Sequence, residues 1–137
     1  LKKNRDGVFL VNKMSLIPLP RQKQIIQRVQ QDRARRREFL QQMSHRQQQG
    51  WQIARQAAQQ LKTQFGVHRV VLFGSLLAPE QMTWHSDIDL AVWGLPKNQL
   101  YRAGATIERG HDFSIDIVEA ESAKPHIRDG ISGGVEL

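Results

Sequence analysis

Arg69-Val70-Val71-Leu72-Phe73-Gly74-Ser75 and Asp87-Ile88-Asp89-Leu90-Ala91-Val92-Trp93 are the two stretches that decide the fold. The first is a run of β-branched and aromatic residues stopped by Gly-Ser, which predicts a buried strand ending in a turn. The second predicts another strand, closed by Gly94 and Pro96. Between them, Leu76 to Ser86 form a loop that contains Pro79. Residues i and i+2 of a strand share a face, about 6.5 to 7 Å apart. Asp87 and Asp89 therefore project together, while Ile88 and Leu90 turn into a core. A third run, Phe113-Ser114-Ile115-Asp116-Ile117-Val118, sets Asp116 between two isoleucines that face the other way.

Working outward, helices are predicted at about 97–109 and within 122–132, the second interrupted early by Pro125. Upstream, Arg21 to Gln64 hold no proline and one glycine, Gly50, among many Gln, Lys and Arg, so a helix is predicted there, with a break at Gly50 open. Ile53, Ala54, Ala57, Ala58, Leu61 and Phe65 have the i, i+3, i+4, i+7 spacing of a helix docked on a core. Between Gln30 and Glu38 almost nothing is available to bury. The fold class is α/β (α+β): a small mixed sheet with flanking helices, preceded by a long basic N-terminal helix. The division expected is a flexible lead-in over 1–20, a basic Gln-rich helical arm over 21–50, and a globular domain over 51–137. Leu1 opens the chain, and Met14 is an alternative start that would leave residues 1–13 outside the native protein.

The 137 residues carry a net charge of +7, unevenly spread. Residues 1–64 have fourteen Lys/Arg against three acids, and residues 65–137 have six against ten. That is a basic arm on an acidic globule rather than a uniformly basic nucleic-acid binder. With no cysteine, disulfides, Cys-ligated metals and a catalytic thiol are excluded. No apolar run approaches the roughly twenty residues of a membrane span. No signal-peptide core follows Lys2, Lys3 and Arg5, so the expected location is cytoplasmic.

Carboxylates at Asp87, Asp89 and Asp116 on one face repel one another unless a cation neutralises them. Hard oxygen ligands suit Mg²⁺, which keeps some water and takes phosphate oxygens as further ligands. Gly74 has no Cβ to keep a phosphate from the backbone, and Ser75 adds a hydroxyl and N–H donors at the start of a turn. Metal-holding carboxylates beside phosphate donors are the parts needed for phosphoryl or nucleotidyl transfer.

Val71-Leu72-Phe73-Gly74-Ser75 followed by Ser86-Asp87-Ile88-Asp89-Leu90-Ala91-Val92 resembles the signature of the DNA polymerase beta nucleotidyltransferase superfamily. More narrowly, it resembles the minimal nucleotidyltransferases, with Ile115-Asp116-Ile117-Val118 matching their third carboxylate strand and Gly130 to Leu137 their ending. The likeness covers about residues 51–137. It implies that Asp87, Asp89 and Asp116 are catalytic and hold two Mg²⁺ ions, and that Gly74 and Ser75 grip a nucleoside triphosphate. It implies AMP transfer from ATP to a hydroxyl on a partner protein, a separate partner being expected to supply the acceptor. It further implies a toxin–antitoxin system in which the partner is a helical HEPN-type toxin. Two features depart from the family's pattern. Eleven residues rather than ten separate Ser75 from Asp87, and Leu76-Leu77-Ala78-Pro79-Glu80 lacks the usual basic residue and second glycine. The alternative is a catalytically weakened binding module of the same fold that holds RNA or a partner protein. Nucleic acid could reach it through Arg33-Ala34-Arg35-Arg36-Arg37, although no aromatic residues interleave there.

His45, His68, His85, His111 and His126 show no ligand spacing, and read as surface or loop residues. Trp51 and Trp93 read as packing groups. Trp84 lies in the site loop, where stacking on a base is the alternative to packing.

Overall fold

The structure, a computed structural model, describes residues 18–137. The lead-in expected over 1–20 lies almost wholly outside these residues. Helix α1 spans Leu19–Phe65, with Pro20 in its first turn, where an N–H is not needed. Then follow β1 (Arg69–Phe73), β2 (Ile88–Trp93), α2 (Leu100–Ile107), β3 (Ile115–Glu119), α3 (Pro125–Ser132) and β4 (Val135–Glu136). Short 3₁₀ turns occupy Ser75–Leu77, Pro79–Gln81, Lys97–Gln99 and Ala120–Ser122. Pro125 opens α3 rather than interrupting it, because the first turn tolerates its fixed φ.

Two compact units are resolved, one ending at Gln41 and one running Gln42–Leu137. In the first, the chain is helical from Leu19 on, and Ile25, Ile26, Val29, Phe39 and Leu40 are exposed beside seven Lys/Arg and two acids. The second is the globule. It takes in residues 42–50, which the sequence reading set in the arm, because Met43, Arg46 and Gly50 are buried in it. The helix does not break at Gly50. A Cβ there would come within 2.7 Å of Leu76 Cδ1 and 3.3 Å of Phe113 Cε1, so glycine serves a close approach rather than a break.

The sheet has the order β3-β2-β1-β4. β1 is antiparallel to β2 and to β4, and β2 is parallel to β3, with α2 in the crossover that a parallel pair requires. Strand alternation divides the sheet into two faces. Val70, Leu72, Ile88, Leu90 and Val92 are fully buried on the face that receives Ala54, Ala57, Ala58 and Leu61 of α1. Val71, Phe73 and Ala91 form a smaller cluster on the other face with Ala120 and with Ile131 of α3. Strand β4 adds only two residues, and Gly134 before it passes so close to β1 that a Cβ would lie 2.5 Å from the Leu72 carbonyl oxygen.

A chain beginning at Gln42 should therefore melt cooperatively, with a midpoint close to that of the full chain. One beginning at Trp51 removes Met43, which is 2 % exposed, and the Gln47 hydrogen bond to Leu76. It should be on the order of 3 kcal/mol less stable. Thermal denaturation of the two truncated chains checks this; equal midpoints would return residues 42–50 to the arm.

Candidate nucleotidyl-transfer site

The residue rows of the sheet bring the carboxylates together. Phe73 pairs with Asp89 across the antiparallel ladder, and Asp89 pairs with Asp116 across the parallel one. Asp89 and Asp116 thus stand side by side on the face opposite Ile88 and Leu90. Asp87 lies one residue before β2 begins, exposed, on the same side as Asp89 by alternation. The sequence placed Asp87 inside the strand; the pairing instead starts at Ile88, opposite Ile115.

Asp89 is the half-buried member of the three, while Asp87 and Asp116 are exposed. Burial first, and then the charges of Asp116 and Asp87, push its carboxyl from 3.8 up to about 6. An Asp kept this far above its ordinary range, with two acid neighbours and no basic partner among the described residues, marks a site that an added cation would relieve. Among the described residues, no three Asp, Glu or His side chains already close on a common centre at metal-ligand spacing. The donor set nonetheless fits a hard divalent cation that completes its shell with water and phosphate oxygens.

Gly74 lies directly against Asp89. Its φ is +85° and ψ −156°, and a Cβ there would fall 2.2 Å from Asp89 Oδ2. From Gly74 the chain enters the Ser75–Leu77 turn, which is closed by Leu77 N–H donating to Gly74 O (3.1 Å) and Ala78 N–H to Ser75 O (3.0 Å). The Ser75 and Leu76 N–H groups have no hydrogen-bond partner among the described residues. Two free amides at the head of a turn, beside a carboxylate cluster, can receive phosphate oxygens.

A family model described as polymerase beta, nucleotidyltransferase, matches residues 55–137. The chain belongs to this nucleotidyltransferase family. No curated protein and no solved structure matches it. The matched region contains Gly74, Ser75, Asp87, Asp89 and Asp116, so the cluster lies in the part of the chain that is nucleotidyltransferase. No helix among the described residues is long and apolar enough to cross a membrane.

Sequence reasoning missed the residues that support this site from α1. Arg46 is 9 % exposed, pairs with Asp112 and lies over the Phe113 and Trp84 rings. It read as one more arm cation because charge signals solvent, and only the long arginine stem allows burial of this kind. Asp112, in the loop before β3, is exposed and pairs with Arg46. Trp84 is 49 % exposed, its ring partly covered by that guanidinium. Farther along the carboxylate face, a cavity of about 410 Å³ opens between Trp93, Arg69, Arg128 and Ile131. Arg69 is occupied there, ion-paired with Glu136 and stacked 4.3 Å from the Trp93 ring centroid.

Proposed function

We propose that this nucleotidyltransferase transfers AMP from ATP to a hydroxyl on a partner protein, and that the partner is a helical HEPN-type toxin which it restrains as an antitoxin. The observation that carries the transfer reading is Asp89, half-buried, pressed against Gly74 and flanked by Asp116. Asp87, Asp89 and Asp116 would hold two Mg²⁺ ions. When bound, these ions neutralise the carboxylates and the triphosphate and stabilise charge at the α-phosphate. The chain's own part is positional. Gly74 admits the phosphate chain to the backbone, the Ser75 and Leu76 amides receive its oxygens, and Asp116 accepts the proton of the attacking hydroxyl. Held in place, the hydroxyl oxygen attacks the α-phosphorus as in an intramolecular reaction, the bond from that phosphorus to the β-phosphate's bridging oxygen breaks, and pyrophosphate leaves.

The helix up to Gln41 supports a protein partner more than a nucleic acid. Exposed Ile25, Ile26 and Val29 offer apolar surface alongside the basic residues, and phosphate binding would not use it. An acidic, partly apolar surface complements such a helix.

Incubating the full chain with Mg²⁺, ATP and a HEPN-type toxin encoded beside it should add the mass of AMP to the toxin, localised to a hydroxyl side chain by mass spectrometry. A toxin that is silenced yet unmodified would favour the binding-module reading, for which the cation-free stretch from Ser75 to Ser86 speaks. Asp116→Ala should stop the modification, with kcat lowered by at least about a hundredfold.

A further inference from the structure

Three segments adjoin the site: the turn after Gly74, which carries Ser75 and Leu76, the turn at 83–86 that leads into Asp87, and residues 110–114, which lead into β3 and Asp116. One stretch of α1 touches all three. Gln47 Nε2 donates 2.8 Å to the Leu76 carbonyl, inside the first segment. The Arg46 guanidinium carbon lies 5.7 Å from the Trp84 ring centroid, in the second. It also lies 4.1 Å from the Phe113 centroid, and Arg46 Nη1 is 3.4 Å from Asp112 Oδ2, both in the third. Gly50, one turn on, lets Leu76 and Phe113 settle against the helix backbone. These residues precede the matched region 55–137, so they are an addition to it.

Arg46 is incompletely satisfied where it lies: its Nε is buried with no hydrogen-bond partner among the described residues, and Asp112 is largely in solvent. An incompletely satisfied buried guanidinium is often no better than an apolar side chain of similar volume, and can be worse. An apolar chain, however, cannot hold two rings and a carboxylate in one fixed arrangement, which a planar cation does.

We infer that Arg46 and Gln47 are positioning residues: Gln47 sets the turn that presents the Ser75 and Leu76 amides, and Arg46 sets the spacing of the segments that lead into Asp87 and Asp116. This rests on the transferase reading above. The two act on different ligands. Gln47 serves the triphosphate, and Arg46 serves the cation through the carboxylates.

The test uses the full chain with Arg46→Met, Arg46→Lys and Gln47→Met. Four quantities are measured: the MgATP dissociation constant by calorimetry, the Mn²⁺ constant without nucleotide, the melting midpoint, and tryptophan emission. Gln47→Met should weaken MgATP about tenfold and leave Mn²⁺ within about twofold. Arg46→Met should weaken Mn²⁺ about tenfold, shift the emission of Trp84, and leave the midpoint unchanged or higher. Arg46→Lys should not restore Mn²⁺ binding, because an ammonium has no plane to stack. Parental constants in both methionine variants overturn the inference while the transferase reading stands. So does a parallel loss of both ligands and of melting midpoint, which is what plain structural damage produces. A parental chain that binds neither MgATP nor Mn²⁺ overturns the transferase reading and this inference with it.

Discussion

Asp89→Asn should abolish nucleotidyl transfer and, in the metal-free chain at pH 7, raise the melting temperature. The two effects have one origin. Asp89 has its pKa raised from 3.8 to about 6, by burial first and then by Asp116 and Asp87. A carboxyl with a raised folded-state pKa binds its proton more tightly in the native state. Its contribution is most favourable below pH 3.8 and is lost as pH rises through about 6. At pH 7 the metal-free fold therefore carries the whole penalty. The shift converts to roughly 3 kcal/mol, which solvent screening at a half-exposed group reduces to about 1–2 kcal/mol. Asparagine keeps the shape and removes the charge, so its midpoint should lie several degrees higher at pH 7 and no higher at pH 3.5. Added Mg²⁺ should raise the midpoint of the parental chain and leave that of Asp89→Asn unmoved. Calorimetric melts at the two pH values, with and without Mg²⁺, check each arm. A variant that melts lower than the parent at pH 7 would mean that Asp89 holds the fold together rather than straining it.

That strain was partly legible in the sequence. The aspartate alternation with Ile88, Leu90, Ile115 and Ile117 sets which side each carboxylate faces, and strand geometry has a strict period of two. What the sequence does not contain is the pairing of β2 with β3. A parallel ladder joined through a helix leaves no turn residue to read, and it is this pairing that puts Asp116 beside Asp89. Other misses have physical causes as well. Val135–Glu136 is too short to show any periodicity, and its place as an edge strand follows from the approach of Gly134 to Leu72. Gly50 carries a helix-breaker's signal, yet the contact that requires it comes from Leu76, distant in sequence. The globule's start at Gln42 was hidden because Arg46 is counted as a charge before it is seen as a stem and a plane. In each case the deciding contact is made across the fold, where the local signal was absent or pointed elsewhere.

Gly74→Ala is the second substitution with a large expected effect, and it acts through two independent costs. The backbone at Gly74 has φ +85° and ψ −156°, a region that glycine alone enters readily, where a side chain costs of order 1–3 kcal/mol. The added methyl would also stand 2.2 Å from Asp89 Oδ2, far inside contact distance. Asp89 is paired on both sides, with Phe73 and Asp116, so its backbone cannot retreat. Its side chain must rotate away from Gly74, or the turn that carries Ser75 must lift. Either movement separates the carboxylate from the Ser75 and Leu76 amides, and displacements of about 1 Å cost on the order of a hundredfold in rate. The expected result is a chain that still folds, about 2–4 kcal/mol less stable, with nucleotidyl transfer at least about a hundredfold slower. Combining the change with Asp89→Gly, which vacates the space the methyl needs, should recover part of the stability and none of the activity. Urea denaturation of the single and double variants reads the coupling directly. Strict additivity between the two would show that Gly74 and Asp89 do not touch, and would remove the geometric basis of the site.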